Sequence, residues 1–327
     1  MTPTFSDIED AARVLKYLTV RTPLLESPFL NDLAGCRLLI KPEMLQKTGS
    51  FKFRGAYNTV SRIPEDRRAN GVVAYSSGNH AQGTAAAAQS LNIPAIIVMP
   101  ADAPKLKIAN TKAYGAEVVL YDRDNEVRED IAEAIAKDRN ATIIKPYDDR
   151  YVVAGQGTVG AEIAEDCNAL GIELDALVVP CGGGGLTAGC ALAFHSLLPK
   201  TLVYTAEPEG FDDTARSLVS GQHETNPPGT KSICDALLSP TPGEMTFEIN
   251  RDLVSAGLIA SDDDVQRTMA ALFLRLKIVC EPGGAIAAAA VLSGDKERFM
   301  GKVVAVVCSG GNVDSAVFKT ALSTSND

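Results

Sequence analysis

The chain has 327 residues, of which 46% are hydrophobic and 22% are charged, and its formal net charge at pH 7 is -10. This length exceeds the size at which one hydrophobic core usually stops growing, so we expect two lobes with a ligand cleft between them. The acidic balance argues against nucleic acid and anionic membranes as partners, because both attract clustered Lys and Arg.

The hydrophobic pattern predicts a first helix near the N-terminus, where Ile8, Ala11 and Leu15 recur at helical spacing after a capping box that begins at Ser6. From residue 71 onward, predicted strands alternate with helices. The predicted strands are 71–75, 94–99, 116–121, 141–145, 177–180, 201–206 and 303–307. One predicted helix starts at residue 80, and four others cover 103–113, 125–138, 159–169 and 261–276. This alternation is typical of parallel sheets covered by helices on both faces.

We therefore predict an α/β fold of two doubly wound parallel-sheet domains with the ligand cleft between them. Residues 1–65 and 151–327 are predicted to form the large domain. Residues 66–150 are predicted to form the small domain, which would carry a substrate loop.

The seven cysteines are widely scattered, odd in number and include no CxxC pair. The sequence therefore predicts reduced thiols, with neither a disulfide framework nor a zinc site. The first residues lack the basic and apolar segments of a secretory signal, and no apolar run is long enough for a membrane span. These features favour a cytoplasmic protein without a membrane partner.

Lys52 lies between two phenylalanines in the segment KTGSFKFRGAYN, residues 47–58. Apolar neighbours disfavour the charged form of an amine, and the nearby cations Lys47 and Arg54 add like-charge repulsion, so both effects are expected to lower the pKa of Lys52. A neutral lysine can attack a carbonyl and form a Schiff base. The alternative is that Lys52 and Arg54 are solvated cations at a helix start.

A run of four glycines joins a predicted strand to an alanine-rich helix, and its members are Gly182, Gly183, Gly184 and Gly185. Backbone N–H groups at such a helix start converge on an anion, which predicts a phosphate site. The run also fits a dinucleotide fingerprint through its second and fourth glycines and Ala188, with Glu207 placed as the ribose-binding acid. A nicotinamide-dependent oxidoreductase is therefore an alternative. A Walker A loop is excluded, because no Gly-Lys-Ser/Thr follows.

Two further polar loops follow predicted strands, SSGNH at 76–80 and CSGGN at 308–312. The carboxyl ends of the strands line the ligand crevice in doubly wound sheets. We therefore expect both loops to share one site with the glycine run and with Lys52.

Four segments taken together, KTGSFKFRGAYN, SSGNHAQG, CGGGGLTAG and SGGNVD, resemble the pyridoxal-phosphate enzymes of the tryptophan-synthase-β fold type, also called fold-type II. The similarity is to the branch that contains threonine and serine dehydratases and serine racemases, and it runs in order from about Phe5 to about Asp314. It implies a cofactor cleft between the two domains. It also implies a homodimer, because relatives in this family are mostly dimers.

The resemblance implies that Lys52 holds pyridoxal 5'-phosphate as an internal aldimine and that Phe51 covers one face of the cofactor ring. Asn79 would bond the ring hydroxyl, and Ser309 would face the pyridine nitrogen. The phosphate would be held by Gly182, Gly183, Gly184, Gly185 and Leu186.

The resemblance also implies an ammonia-lyase of amino-acid metabolism, in which the freed Lys52 amine removes the α-proton of a small 3-hydroxy amino acid. The β-hydroxyl then leaves as water, and a 2-keto acid and ammonia are released. L-Threonine or L-serine is the first expectation for the substrate, and 3-hydroxyaspartate is an alternative. The substrate carboxylate would be held by Ser76, Ser77, Gly78, Asn79 and His80.

Ser77 lies where dehydratase-like relatives tend to carry alanine and racemase-like relatives carry serine. Its hydroxyl would reprotonate the substrate face opposite the lysine, so serine racemisation is a second alternative, or it would only bind the carboxylate. Arg128 lies where racemase-like and hydroxyaspartate-active relatives have an arginine that pairs with a substrate carboxylate. The alternative for Arg128 is an exposed helix residue paired with a nearby acid.

The segment EPEGFDD, residues 207–213, resembles the divalent-cation loop of serine racemases. Glu207, the carbonyl of Phe211 and Asp213 would then bind Mg²⁺ or Ca²⁺ together with water. The alternative is a solvated acidic loop. The chain departs from the family pattern at 233–236, where Ile-Cys-Asp-Ala replaces Ile-Ala-Asp-Gly close to the substrate side chain.

A non-catalytic amino-acid sensor on the same scaffold is a third class of hypothesis.

Overall fold

The structure, a computed structural model, describes residues 2–294 and 296–324. The strands are Leu25–Glu26 (β1), Arg37–Pro42 (β2), Val72–Tyr75 (β3), Ala95–Pro100 (β4), Glu117–Tyr121 (β5), Thr142–Ile143 (β6), Ala176–Pro180 (β7), Leu202–Pro208 (β8), Ala256–Ala260 (β9) and Val303–Cys308 (β10).

The α-helices are Phe5–Leu15 (α1), Pro28–Ala34 (α2), Lys52–Val60 (α3), Glu65–Arg68 (α4), Asn79–Ser90 (α5), Lys105–Ala113 (α6), Arg128–Arg139 (α7), Arg150–Leu170 (α8), Gly185–Leu197 (α9), Asp213–Ser220 (α10), Glu244–Leu253 (α11), Asp262–Leu276 (α12), Pro282–Ala289 (α13), Lys296–Phe299 (α14) and Ser315–Ser323 (α15).

The strands form two sheets, which we call the large and the small sheet. The large sheet has the order β1-β2-β10-β7-β8-β9, and the small sheet has the order β5-β4-β3-β6. All neighbouring strands are parallel except the edge pair β1 and β2. The predicted α/β fold with parallel sheets is therefore confirmed.

Each sheet is buried on both faces, as the apolar strands require. In β7, Val178 points into one core of the large sheet, whereas Leu177 and Val179 point into the other. In β3, Val73 lies on the face opposite Val72 and Ala74. This alternation follows from the two-residue period of a strand.

Helix α3 lies between the two sheets and packs on both α5 and α8. Phe53, Ala56 and Val60 enter the core of the small sheet. On the other side, the Asn58 amide donates to the carbonyl oxygen of Tyr151 at 2.7 Å. Residues before 65 thus contribute to the small-sheet core, and the predicted domain boundaries at 66 and 150 stay a prediction.

Two local predictions need correction, and three strands were not predicted. The residue that caps α1 is Thr4, which forms the capping box with Asp7, so the predicted start at Ser6 is wrong. Helix α8 begins at Arg150, nine residues before the predicted 159, because the Asp149 carboxylate accepts from the backbone N–H groups of Tyr151 and Val152. The strands β1, β2 and β9 lie outside the predicted elements.

Ser261 caps α12 as predicted, and its capping box is completed by Asp264. Within the described residues, all seven cysteines are free and buried. No described helix combines the length and the apolar character that a membrane crossing needs.

Candidate active site

A cavity of about 370 Å³ lies between the sheets, where strands β3, β7 and β10 end. Its walls include most of the residues that the sequence predicts for the site: Phe51, Lys52, Ser76, Ser77, Asn79, His80, Arg128, Gly182, Gly183, Gly184, Gly185, Leu186 and Ser309. The lysine, the two polar loops and the glycine run thus share one site. The three predicted metal ligands lie outside this cavity.

Lys52 is the first residue of α3, and it is half-buried. Its ammonium group donates to the carbonyl oxygen of Pro146 at 2.8 Å and lies 5.3 Å from the centre of the Phe51 ring. Burial lowers the pKa of Lys52 to about 8. About a tenth of the amine is therefore uncharged at pH 7 and about half at pH 8, which supplies the neutral form that a nucleophile or a base requires.

The predicted like-charge contribution of Lys47 and Arg54 to this pKa shift is wrong. Arg54 is fully buried, and its guanidinium is neutralised by Glu43 at 2.8 Å and by Glu162 at 2.7 Å. Lys47 is exposed, with its ammonium over the ring of Phe53. Burial alone therefore accounts for the lowered pKa of Lys52.

The glycine run has no room for side chains at two positions. A Cβ on Gly183 would lie 2.4 Å from three ring carbons of Tyr147, and a Cβ on Gly184 would lie 2.9 Å from Thr246 Oγ1. Gly184 also has a φ of +88° and immediately precedes α9. The Thr246 hydroxyl donates to the Gly183 carbonyl oxygen at 2.6 Å, so the carbonyl is held by Thr246 while the N–H groups at the helix start can bind an anion.

Ser309 and Asn79 lie on the wall of the cavity, where hydrogen bonds hold the backbone of Ser309 and the side chain of Asn79. The Ser309 carbonyl oxygen accepts from the Phe51 N–H at 3.1 Å, which ties the end of β10 to the segment that carries Lys52. The Asn79 Nδ2 donates to Glu281 Oε1, and its Oδ1 accepts from Asn312 Nδ2 at 2.9 Å. The Asn79 amide therefore has a defined orientation.

Residues 76–78 connect β3 to α5, and Asn79 and His80 of the predicted loop form the first two residues of that helix. The Gly78 N–H donates to the Ser76 hydroxyl at 3.1 Å, and a Cβ on Gly78 would lie 2.1 Å from Lys107 Cδ. His80 is buried, and its Nε2 donates to the Ile144 carbonyl oxygen at 3.0 Å. Burial, reinforced by the nearby Lys52 charge, lowers the pKa of His80 to about 3, so its ring is neutral.

Arg128 has features of both interpretations that the sequence leaves open. Its Nε donates to Glu129 at 2.8 Å, which is the surface-type pairing. Its guanidinium also lies 5.4 Å from the centre of the Tyr75 ring and lines the cavity. A planar cation on an aromatic ring at the cavity wall is suited to bind a carboxylate.

Several site residues were missed by the sequence reasoning, among them Lys107, Tyr147 and Glu281. Lys107 is 1% exposed, although its place on α6 makes it look like a surface lysine. Tyr147 lies in the polar segment after β6, and it covers the glycine run. Glu281 immediately precedes Pro282 at the start of α13, and a proline at that place is a helix-start signal in the sequence.

The predicted metal ligands lie where β8 leads into α10. Glu207 is fully buried, and its two oxygens accept from the N–H groups of Thr214 at 3.0 Å and Ala215 at 2.7 Å. Asp213 is also buried; its Oδ1 accepts from Asn226, and its Oδ2 has no hydrogen-bond partner among the described residues. No group of three or more His, Cys, Asp or Glu side chains that could hold a metal occurs in residues 2–294 and 296–324.

Two carboxylates close together in the interior make each other harder to ionise. Burial, together with the Asp213 charge, raises the pKa of Glu207 well above its usual value. Burial raises the pKa of Asp213 to about 6.

A family model described as "Pyridoxal-phosphate dependent enzyme" matches residues 15–310. The chain belongs to this family. It is 43% identical to the L-threo-3-hydroxyaspartate ammonia-lyase of Saccharomyces cerevisiae, over 99% of this chain and 98% of that one.

Two solved structures of the family have a closely similar fold. Maize serine racemase matches with a TM-score of 0.92 and 34% identity, over 99% of this chain and 98% of that chain. The T.th. threonine deaminase matches with a TM-score of 0.90 and 43% identity, over 95% of this chain and 99% of that chain. The predicted resemblance and its fold type are thereby confirmed.

Pyridoxal phosphate is therefore the cofactor, and the nicotinamide alternative is wrong. The residues present fit the cofactor, because the cavity combines an amine of lowered pKa with N–H groups at the start of α9. The size of the cavity lies within the range of small-molecule sites.

Proposed function

We propose that the protein is an ammonia-lyase that converts a small 3-hydroxy amino acid to a 2-keto acid and ammonia. The observation that carries the proposal is Lys52, whose lowered pKa and place in the cavity give it an amine that can act as nucleophile and base. Relatives named as ammonia-lyases and a threonine deaminase support the reaction class.

In this proposal Lys52 would hold the cofactor covalently, Phe51 would cover one face of its ring, Asn79 would bond the ring hydroxyl, and Ser309 would face the ring nitrogen. The glycine run and Leu186 hold the phosphate. Bound pyridoxal phosphate supplies the electron sink that acidifies the substrate α-carbon.

The residues of this chain then divide the work between binding and proton transfer. The loop at 76–80 binds the substrate carboxylate through N–H groups and hydroxyls, with Ser76, Ser77, Gly78, Asn79 and His80 contributing. The Lys52 amine takes the α-proton at Nζ, and the carbonyl oxygen of Pro146, 2.8 Å from that nitrogen, orients it. The ring of His80 is neutral, so it contributes no positive charge to carboxylate binding.

For the substrate, we propose 3-hydroxyaspartate before L-threonine and L-serine. The bond from Arg128 to Glu129 is made by Nε, and the terminal nitrogens of a guanidinium are suited to bind a second carboxylate bidentately. The yeast relative named as an L-threo-3-hydroxyaspartate ammonia-lyase supports this order.

Serine racemisation is a second candidate activity, because Ser77 lines the same cavity as Lys52 and a hydroxyl there can return a proton. The similarity to maize serine racemase supports it. If purified protein turns L-serine into keto acid without any D-serine, the racemase candidate fails.

We also propose that Glu207, the Phe211 carbonyl and Asp213 bind Mg²⁺ or Ca²⁺, which would offset the charge of the two buried carboxylates. A cytoplasmic homodimer with no nucleic-acid or membrane partner completes the proposal, on the basis of the acidic charge and the family resemblance. Light scattering during size-exclusion chromatography tests the dimer.

The central experiment measures keto acid and ammonia from L-threo-3-hydroxyaspartate, L-threonine and L-serine with wild-type protein and Lys52→Ala. We expect the wild type to be yellow, to lose its colour on borohydride reduction, and to gain the cofactor mass on the peptide that contains Lys52. A yellow protein that releases no ammonia from any of the three would be a sensor rather than a lyase, and would refute the proposal.

A further inference from the structure

The buried ammonium of Lys107 connects the two sides of the cavity. Lys107 lies on α6, beside the small sheet, and is 1% exposed. Its Nζ donates to Asp235 Oδ2 at 2.8 Å and to Glu281 Oε2 at 2.9 Å, and both acids lie on the large-sheet side. A buried cation with two carboxylate partners is costly to assemble, so its role needs a specific explanation.

The side chain of Lys107 passes directly beneath the loop at 76–80. A Cβ on Gly78 would lie 2.1 Å from Lys107 Cδ. The loop can therefore pass over this lysine only because residue 78 is a glycine. The position of Lys107 is thus coupled to the backbone that precedes Asn79.

Glu281 links Lys107 to Asn79 by using its two oxygens for different partners. Oε2 accepts from Lys107, and Oε1 accepts from the Nδ2 of Asn79. An ionised carboxylate only accepts hydrogen bonds, so the amide must turn its NH₂ group, and not its oxygen, toward Glu281. The Oδ1 of Asn79 accepts from Asn312 at 2.9 Å, which fixes the other end of the amide.

The charge of Lys107 opposes the protonation of Glu281. Burial and the neighbouring Asp235 raise the pKa of Glu281, and Lys107 acts against that rise. Without the ammonium group, the buried Glu281 would face the half-buried Asp235 carboxylate with no compensating cation, and Glu281 would take up a proton. A protonated Glu281 can donate a hydrogen bond, so it no longer dictates which end of the Asn79 amide faces it.

We propose that Lys107 is a positioning residue that, through Glu281, orients the Asn79 amide so that its second Nδ2 hydrogen is offered to an acceptor oxygen of the cofactor. This inference rests on the proposed function. The amide contacts the cofactor, and Lys107 acts through it without touching the reacting atoms.

Lys41 offers a matched control, because it is an equally buried lysine in an ion pair away from the cavity. It is fully buried, and its Nζ lies 2.7 Å from Glu162 and 2.7 Å from the carbonyl oxygen of Thr22. Lys41→Met and Lys107→Met should therefore destabilise the apo-protein by comparable amounts. Only Lys107→Met should alter the environment of the cofactor.

The experiment adds pyridoxal phosphate to apo-protein of each variant and records the dissociation constant, the pH at which the absorption spectrum of the bound cofactor titrates, and the apo melting temperature. For Lys107→Met we expect a dissociation constant raised about tenfold or more. We also expect the spectral transition at higher pH, because an anionic ring oxygen loses a donor. Lys41→Met should lower the melting temperature alone.

Glu281→Gln is the second variant, since it keeps the shape of the side chain and removes the charge. It should change the dissociation constant and the spectral transition in the same direction, and it decides the matter if Lys107→Met does not fold. If both variants have the wild-type dissociation constant and spectral transition, the inference is overturned while the proposed function stays intact. If Lys107→Met does not fold, wild-type values for Glu281→Gln alone have the same meaning. A wild type that does not bond pyridoxal phosphate at Lys52 would overturn both.

Discussion

The Tyr147 ring lies against Gly183, so closely that a Cβ on the glycine would stand 2.4 Å from three of the ring carbons. Tyr147 lies in the segment between β6 and α8, whereas Gly183 belongs to the glycine run after β7. The aromatic ring and the glycine run therefore fix each other's position. The absence of a side chain at residue 183 thus leaves the space that the Tyr147 ring occupies.

Gly183→Ala should weaken pyridoxal-phosphate binding by about fivefold or more, because the added methyl must displace either the ring or the backbone, and overpacking of this kind costs about 1–3 kcal/mol. Titration of apo-protein with the cofactor measures the effect. Gly171→Ala is the control, since a Cβ there meets no described atom within 4 Å. Its φ of +65° predicts a stability loss of about 1 kcal/mol and unchanged cofactor affinity.

The lowered pKa of Lys52 predicts how the apo-protein responds to pH. Formation of a borohydride-stable adduct with pyridoxal phosphate should rise through a midpoint at about pH 8, because the neutral amine is the reactive form. Lys52→Ala should form no such adduct, and Lys47→Ala, at an exposed neighbouring lysine, should behave like the wild type. A midpoint above pH 10 would show that Lys52 is solvated.

The same pKa has a consequence for stability. From about pH 8 to 10.5 the unfolded chain binds more protons at Lys52 than the folded chain, so folded stability should increase with pH across this range. Lys52→Met should therefore raise the apo melting temperature at pH 7, and the gain should fade by pH 10.5. Calorimetry of the two apo-proteins at matched pH measures the difference.

Arg128→Ala should lower kcat/KM for L-threo-3-hydroxyaspartate by about 10- to 100-fold, the amount expected when a charged hydrogen-bonding partner worth 1.5–3 kcal/mol is lost. The values for L-threonine and L-serine should change by less than threefold, because neither has a second carboxylate. Arg139→Ala, at the exposed end of the same helix, controls for helix effects. Equal losses on all three substrates would contradict the assigned role.

The Glu207 and Asp213 pair predicts a metal effect that depends on pH. In apo-protein the folded pKa of Asp213, about 6, exceeds its unfolded value near 3.8, so the folded state binds more protons and stability falls as pH rises from about 4 to 6. Added Mg²⁺ or Ca²⁺ should offset this loss. It should raise the melting temperature at pH 7 and have little effect at pH 5.

Asp213→Asn should abolish the metal-dependent increase in melting temperature, whereas Glu209→Gln, at an exposed acid in the same loop, should retain it. Differential scanning fluorimetry with and without EDTA provides the measurement. An identical response of all three proteins to both cations would count against this site.

The sequence was most informative where chemistry requires several residues in a short segment. Lys52 and the glycine run were found because strand, loop and helix signals surround them. Lys107 was missed because the sequence of α6 does not show which of its lysines meets an acid on the large-sheet side of the cavity. The cause of the Lys52 pKa shift was misjudged, because the neutralisation of Arg54 depends on Glu162, which is distant in sequence.

Helix α3 packs against both lobes. Phe53 and Val60 pack with the small sheet, while Gly55 lies so close to α8 that a Cβ on Gly155 would stand 2.6 Å from its Cα. Neither lobe can lose its order without exposing a face of this helix to water. The two lobes should therefore melt together in one cooperative transition, and Lys52 lies on the helix that makes them a single thermodynamic unit.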